Sequence, residues 1–322
     1  MVAVTDPRER GPKGARSARP PLERLIFRRQ FYLQLVRILV TRRWRGRRDI
    51  VVVMMGGVGD LVNAFPSIER LADRGDVDMG TGGPPYRTIV DANPHVRNVY
   101  APFIYKPAKR AHRVLIERAL GRVYERVIIL DSGDAKWWTH GQHLIVRYAE
   151  ACAVPPATHG RVYLRDEHRR AADAHRARLG VLDFVYAVQL VRNSRPFRSW
   201  PVAHYHALWD ALRKRTTLPI VVDTTGSDET ALPDFCLPLG RLGLMPACAM
   251  IERARLYVGP DSGLTHVAGA LGTPTVSIHL GFPAASCGAL GERVALVTQR
   301  EPFDDPALTT PADVLAATER FL

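Results

Sequence analysis

The sequence has few cysteines and no long apolar run. Its four cysteines are scattered and show no C-x-x-C spacing, so neither a disulfide scaffold nor a zinc site is expected. Reduced, buried thiols are the simple interpretation, and they favour a cytosolic compartment. No run of about 18 or more apolar residues is present, so no transmembrane helix is expected.

Acidic residues are scarce at the N-terminus. The chain has 322 residues and a formal net charge of +13. Residues 1–49 hold fourteen Lys or Arg against four Asp or Glu, an excess of ten, whereas the remaining residues carry an excess of only three. Because the body of the protein is close to neutral, we do not expect it to wrap around nucleic acid.

Residues 1–48 are predicted to form a basic leader. Residues 1–20 are rich in Pro, Gly and Arg and are predicted to be a mobile tail. Residues 21–44 show helical spacing, with Leu, Ile, Phe, Tyr and Val covering most of the helix surface. Two interpretations are open: the helix packs on the folded body, or it lies on an anionic membrane with its arginines on the headgroups. The position of the charge favours a membrane partner for residues 21–48, and a peripheral location on the inner face of the cytoplasmic membrane.

The rest of the chain alternates short β-branched runs with helical patterns. Such alternation predicts parallel, doubly wound sheets, and the length suits two domains. We therefore predict an α/β protein of two Rossmann-like doubly wound domains facing a cleft, at 49–165 and 166–322. The principal predicted strands are Asp49–Met55, Val127–Asp131, Phe184–Val191, Pro219–Asp223, Leu256–Val258 and Thr275–His279.

A candidate anion site follows the strand at Leu256–Val258. The chain turns through Gly and Pro, and a helix is predicted to open at Asp261 or Ser262, both good N-cap residues. Gly263 permits close backbone approach, and the helix amides and dipole suit a phosphate; His266 lies one turn further on. A capped helix that binds no ligand is the alternative interpretation.

The first strand–helix turn, residues 56–60, contains three glycines followed by Asp60. It lacks the third glycine of the G-x-G-x-x-G pattern, and Asp60 would repel a pyrophosphate, so NAD binding is not expected. A carboxylate at the lip of a cleft is well placed as a general base. An N-cap role is the alternative for Asp60.

Four motifs in order resemble those of glycosyltransferase family 9, the heptosyltransferases of lipopolysaccharide assembly. The similarity runs from about residue 50 to the end of the chain. The segments that carry it are Gly59-Asp60-Leu61-Val62-Asn63-Ala64-Phe65-Pro66, Asn93-Pro94-His95-Val96, Arg198-Ser199-Trp200-Pro201, and Asp261-Ser262-Gly263-Leu264-Thr265-His266 with Ala268, Ala270, Gly272 and Pro274 behind it.

This resemblance implies a GT-B fold, with the acceptor on the N-terminal domain and the nucleotide-sugar donor on the C-terminal domain. It implies no cofactor and no metal. Asp60 takes the position of the family's base, and Arg198 that of a phosphate-contacting lysine, with a planar fork in place of a point charge. The implied donor contacts are Arg198, Glu229 (or Asp228) at the ribose, Asp261, Ser262, Gly263, Leu264 and His266.

The implied reaction is an inverting transfer of heptose from a nucleotide-activated, ADP-linked donor to a lipopolysaccharide-core or related glycan or lipid-linked acceptor. A catalytically silent GT-B protein that binds a nucleotide or glycan at the membrane, or a family member with another sugar donor, is the alternative. On the acceptor side, Lys106, Lys109, Arg110 and Arg113 suit an acidic sugar or form a solvated helix face. Trp137 and Trp138 suit sugar stacking or core packing.

Overall fold

The computed structural model describes residues 21–42, 49–103, 110–131 and 137–322, with the backbone alone at 21–28, 110–111 and 137. The described chain divides into two compact units. The first runs to residue 157 and includes 161–163, and the second comprises 158–160 and 164–322. No helix of the described chain has the length and apolar character needed to cross a bilayer.

The first unit is built on a parallel sheet of four strands in the order β3-β2-β1-β4. Its central strand β1 is buried along its whole length, as expected for a parallel strand covered on both faces. The strands are β1 (Ile50–Met54), β2 (Val77–Gly80), β3 (Asn98–Tyr100) and β4 (Arg126–Leu130), and the helices are α1 (Pro21–Arg42), α2 (Val58–Ala72), α3 (Tyr86–Asp91), α4 (Arg110–Leu120) and α5 (Leu144–Cys152).

Helix α2 begins earlier than its sequence spacing predicts. We expected a turn over residues 56–60, but Gly57, in an extended conformation, is the N-cap residue of a helix that already starts at Val58. Pro66 lies inside this helix and cannot donate to the carbonyl of Val62, four residues before it. The backbone N–H of Arg161 donates to that carbonyl instead, at 3.0 Å.

Helix α1 packs on the first unit through one apolar face. Phe31, Leu35 and Ile38 are buried against strand β1 and helix α4. Of the two interpretations left open by the sequence, packing on the body is therefore observed for this face. The opposite face of the helix is exposed.

A buried ionic network fastens the end of α1 to the sheet. Arg42 is 1% exposed and forms an ion pair with Asp49, while its guanidinium carbon lies 4.7 Å from the centre of the Tyr124 ring. Asp78, also buried, accepts a hydrogen bond from Tyr124 Oη at 2.7 Å and pairs with Arg97 at 3.0 Å. The buried charges thus have opposite charges beside them, as burial requires.

The second unit holds six parallel strands in the order β10-β9-β8-β5-β6-β7. Renumbered within the unit, this is the order 3-2-1-4-5-6 of dinucleotide-binding folds, which reverses direction between β5 and β8. The strands are β5 (Val185–Val188), β6 (Ile220–Asp223), β7 (Leu237–Pro238), β8 (Leu256–Pro260), β9 (Thr275–His279) and β10 (Val294–Thr298); the helices are α6 (Asp166–Leu179), α7 (Val202–Arg213), α8 (Leu244–Arg253), α9 (Gly263–Leu271), α10 (Ala284–Cys287) and α11 (Pro311–Glu319).

The predicted α/β class with parallel, doubly wound sheets is confirmed in each unit. Strand β7 and helix α10 were not predicted from the sequence. They have two and four residues respectively, which is too short to show a periodic pattern.

Candidate functional site

The candidate site residues follow strands at the points where each sheet reverses its strand order. Ligands of such sheets bind outside the carboxyl ends of the strands at this switch point. In the first unit β1 lies between β2 and β4, and Asp60 follows β1. In the second unit the reversal lies between β5 and β8; Arg198 follows β5 and Asp261 follows β8.

Asp60 is the third residue of α2, and both oxygens of its carboxylate accept hydrogen bonds. The backbone N–H of Gly57 donates to Oδ2 at 2.7 Å, and the hydroxyl of Tyr148 donates to Oδ1 at 2.9 Å. Asp60 is therefore not the N-cap residue, which is Gly57, but its carboxylate caps the backbone N–H of Gly57 from the third helical position. Each carboxylate oxygen can accept a second hydrogen bond, so the partly exposed group can still take a proton.

Gly56 is needed for this arrangement. A Cβ at that position would lie 2.4 Å from the Cβ of Asp60, too close for any side chain. The turn after β1 therefore lets the Asp60 side chain lie directly over the backbone.

Tyr148, on α5, was not identified from the sequence. Its side chain is 2% exposed. Burial, followed by the neighbouring Asp60 carboxylate, raises the pKa of Tyr148 well above its usual value. Tyr148 therefore remains a neutral hydroxyl that donates to Asp60. A tyrosine within a helix carries no local sign of such a role, since Asp60 lies 88 residues away.

In the second unit, Arg198 and Asp261 form a largely buried ion pair. Arg198 Nη2 donates to the Asp261 carboxylate and, at 3.2 Å, to the Asp261 carbonyl oxygen. The Asp261 side chain is 5% exposed and that of Arg198 is 22% exposed. Because a guanidinium has five N–H donors and these bonds use Nη2, Arg198 can hold Asp261 and still face an anion.

Two histidines adjoin the same carboxylate. His266 Nε2 lies 3.5 Å, and His279 Nδ1 3.8 Å, from Asp261 Oδ1. Burial by itself would raise the pKa of Asp261, but His279, His266 and Arg198 outweigh it and hold that pKa well below its usual value. Asp261 is therefore ionised at neutral pH.

The N-terminus of α9 lies beside this pair. Ser262 is its N-cap residue, and its side chain makes no capping hydrogen bond. The amides of Gly263 and Leu264 open the helix, where no intrahelical carbonyl can reach them. These donors and the helix dipole suit a phosphate.

The loop after β9 packs against the side chain of Arg198. The guanidinium carbon of Arg198 lies 5.4 Å from the centre of the Phe282 ring. Gly281 has φ +90°, and a Cβ there would lie 2.8 Å from Arg198 Cγ, so only glycine fits. Neither Phe282 nor His279 was identified from the sequence, although His279, which ends β9, has a placement typical of ligand sites.

Glu229 and Asp228 lie on the loop after β6 and differ in their surroundings. Asp228 Oδ2 accepts from the backbone N–H of Asn193 at 2.7 Å, which ties two loops together. Glu229 is exposed, and its carbonyl accepts from Gln189 Nε2 at 3.2 Å. Of the two carboxylates, that of Glu229 is therefore the better candidate for a ligand.

The predicted acceptor cluster is only partly visible. Lys106 and Lys109 lie outside the described residues, as do the side chains of Arg110 and Trp137. Arg113 is exposed and pairs with Glu117 at 3.2 Å and Asp131 at 3.6 Å. Trp138 is 5% exposed, so it packs in the interior.

The family model described as glycosyltransferase family 9 (heptosyltransferase) matches residues 139–304, just over half of the chain. This chain belongs to glycosyltransferase family 9. The matched range includes Arg198, Glu229 and the segment from Asp261 to His266, whereas Asp60 lies before it. No curated protein matches the chain.

Several solved structures share the fold. The family 9 glycosyl transferase from Veillonella parvula has a TM-score of 0.63 at 13% identity over 85% of this chain and 97% of its own. Escherichia coli ADP-heptose lps heptosyltransferase II has a TM-score of 0.61 at 17% identity, over 85% and 98%. E. coli heptosyltransferase WaaC with ADP has a TM-score of 0.57 at 15% identity, over 85% and 100%. The protein is a glycosyltransferase with the GT-B fold, as the four motifs predicted.

Proposed function

We propose that this glycosyltransferase moves a heptose from an ADP-activated donor to a hydroxyl of a lipopolysaccharide-core or related glycan acceptor, with inversion at the anomeric carbon. The observation that carries the proposal is the Arg198–Asp261 pair beside the N-terminus of α9, at the switch point of the second sheet. Two of the similar E. coli structures, an ADP-heptose lps heptosyltransferase and a heptosyltransferase with ADP, support the choice of donor.

In this proposal the second unit binds the donor through its diphosphate. The Arg198 guanidinium and the amides of Gly263 and Leu264 neutralise the charge that grows on the departing diphosphate, so the transfer step needs no metal ion. Asp261, which His266 supports, and Ser262 position Arg198 and the helix terminus. The exposed carboxylate of Glu229 accepts hydrogen bonds from the ribose hydroxyls.

The first unit supplies the base. Asp60 takes the proton of the acceptor hydroxyl while that oxygen bonds to the anomeric carbon and the bond from that carbon to the diphosphate breaks. The products are the extended glycan, ADP and a protonated Asp60. Lys106, Arg110 and Arg113 bind acidic groups of the acceptor.

The Asp60→Asn variant tests the base. The isosteric amide cannot take the proton, so we expect transfer to fall by about 10²–10⁴-fold, with donor binding unchanged. Product formation is measured by mass spectrometry with ADP-, GDP-, UDP- and dTDP-activated sugars as donors. Asp73→Asn, at the other end of the same helix, is the matched control and should transfer normally.

Unchanged transfer by Asp60→Asn would remove Asp60 as the base. A wild-type protein that binds donors but transfers none of the sugars would refute the transferase proposal and favour the silent binding protein. Preference for a donor other than ADP-heptose would refute the donor assignment alone.

We further propose that an anionic lipid surface on the inner face of the cytoplasmic membrane is the partner of residues 21–48. The face of α1 that points away from the body presents four large apolar side chains that are 52–64% exposed: Tyr32, Leu33, Val36 and Val40. They account for half of the most exposed large apolar side chains in the described chain. Arg29 and Arg37 are exposed on the same helix, and each cation near anionic headgroups contributes about 1 kcal/mol.

Vesicle flotation of a Leu33→Ser, Val36→Ser double variant tests this partner. We expect the wild type to float with phosphatidylcholine vesicles that contain phosphatidylglycerol and the double variant to partition at least about tenfold less, since each buried apolar side chain contributes about 1.5–3 kcal/mol. The matched control is Leu182→Ser with Leu308→Ser, two exposed leucines of the second unit. Equal flotation of all three proteins would contradict the proposal. It would also be contradicted if gel filtration showed a wild-type dimer that the double variant does not form.

A further inference from the structure

Three potential metal ligands meet at the carboxyl edge of the second sheet. Asp261 directly follows β8, His279 ends the neighbouring strand β9, and Cys287 ends the short helix α10. One ligand atom from each lies within 4.8 Å of the other two. The Asp261 and His279 side chains are 5% and 1% exposed, and Cys287 is buried.

The orientation of His279 leaves a lone pair directed at this cluster. Its Nε2 lies 2.9 Å from the carbonyl oxygen of Phe282, which can only accept, so Nε2 carries the proton. A ring that holds its proton on Nε2 presents the Nδ1 lone pair to the cluster.

Nδ1 of His279 has no hydrogen-bond partner within the described chain. Asp261 Oδ1, which is also an acceptor, lies 3.8 Å from it. Two buried acceptors that face one another are unfavourable unless a cation or a proton lies between them. A cation at this place would satisfy both atoms, and the Cys287 thiol, which donates to the carbonyl oxygen of Pro283 at 3.9 Å, would exchange that long hydrogen bond for the metal.

We propose that Asp261 Oδ1, His279 Nδ1 and Cys287 Sγ bind a divalent transition-metal ion, for which Zn²⁺ is the best chemical match. Carboxylate, imidazole and thiolate are the ligands that zinc combines in proteins, whereas Mg²⁺ and Ca²⁺ take oxygen ligands. The hydrogen bond from His279 Nε2 to a backbone carbonyl is the support that metal-bound histidines usually have.

The spacing and charge of the cluster suit such an ion. Bonds of about 2.0–2.3 Å in a tetrahedral shell separate ligand atoms by roughly 3.5 Å, so shifts of about 1 Å suffice. Arg198 binds the other carboxylate oxygen, Oδ2, and leaves Oδ1 for the metal, although His266 Nε2 also lies 3.5 Å from Oδ1. The Asp261 carboxylate and the Cys287 thiolate together offset the charge of the ion, and the charge of Arg198 remains for an anion.

The ion would link the turn between β8 and α9 to the loop between β9 and α10. The first carries Asp261 and Ser262, and the second carries Phe282, on which Arg198 rests. The metal would therefore stiffen the support of the Arg198–Asp261 pair. This inference goes beyond the proposed function, in which the transfer step itself uses no metal.

Metal titration of the untagged, full-length protein tests the proposal without donor or acceptor. After chelation and dialysis, Zn²⁺ binding is measured by calorimetry, and Co²⁺ is added as a spectroscopic probe. We expect one Zn²⁺ per chain and a near-ultraviolet thiolate-to-cobalt band. Cys287→Ser should abolish the band, and both Cys287→Ser and His279→Gln should weaken Zn²⁺ binding by at least about tenfold. Cys236→Ser and His206→Gln, outside the cluster, are the matched controls and should bind as the wild type does.

Circular dichroism shows whether each variant folds. If a variant does not fold, Zn²⁺ and Co²⁺ binding by the wild type alone tests the proposal. Absence of stoichiometric Zn²⁺ binding, or of the cobalt band, in the wild type would overturn the proposal and leave His279 and Asp261 as a proton-linked pair. Binding that persists in Cys287→Ser and His279→Gln would equally overturn it. Because no transfer is measured, failure of this proposal is distinct from failure of the proposed function.

Discussion

At the scale of single residues, Asp60 has an observed structural role and a proposed chemical role. Its Oδ2 caps the first turn of α2 through the N–H of Gly57, and its Oδ1 accepts from Tyr148. Together the two bonds fix the plane of the carboxylate. Gly57, and not Asp60, is the N-cap residue, but this capping contact is compatible with the proposed role as base, because a carboxylate has more lone pairs than the cap uses.

The Tyr148→Phe variant tests the positioning role of the hydroxyl. Its loss removes one of the two hydrogen bonds that orient the Asp60 carboxylate, so kcat should fall by roughly tenfold while KM for the donor stays the same. The control Tyr163→Phe removes a hydroxyl of the same unit that donates to Glu69, at 3.2 Å, and should leave kcat unchanged. An unchanged kcat, with only the free energy of unfolding lowered, would mean that Tyr148 is structural only.

At the scale of elements, helix α1 has one face that packs on the first unit and another that is exposed. Phe31, Leu35 and Ile38 pack on β1 and α4, and Arg42 joins the buried network with Asp49. The opposite side exposes Leu33 and its apolar neighbours. The two interpretations of the leader helix therefore concern different faces, of which packing is observed and membrane contact is proposed.

Truncation of the packed face should destabilise the first unit. Ile38 is fully buried, so Ile38→Ala should lower the free energy of unfolding by about 2–4 kcal/mol through lost apolar burial and the cavity left behind. Val40→Ala, on the exposed face, should change it by less than about 0.5 kcal/mol. Urea denaturation followed by circular dichroism measures both. An Ile38→Ala effect as small as that of Val40→Ala would show that α1 is not docked in solution.

At the scale of the whole molecule, the charge is concentrated at one end of the chain. Ten of the thirteen excess positive charges belong to residues 1–49, and the rest of the protein is close to neutral. A basic leader next to an exposed apolar stripe suits an anionic membrane better than nucleic acid, which would need a basic body. The attraction between exposed charges is screened by salt, so flotation should weaken as ionic strength rises.

The sequence alone determined the class of fold and the order of the motifs. Strands such as Ile50–Met54 and Thr275–His279 are recognisable because buried parallel strands are continuous apolar or β-branched runs. The donor-site candidates are recognisable for a related reason: Asp261 and Gly263 follow a strand and open a helix, and both signals are local. Residues close in the chain carried this information.

The tertiary structure decided what depends on contacts between distant residues. Tyr148 meets Asp60 across 88 positions, and Arg198 meets Asp261 across 63. His279 faces Asp261 because β8 and β9 are neighbours, which no local pattern states. The sequence likewise did not show which face of α1 packs on the body, because apolar residues cover most sides of this helix. Periodicity reveals local conformation, whereas the partner of a buried polar or apolar group is selected only when the chain folds.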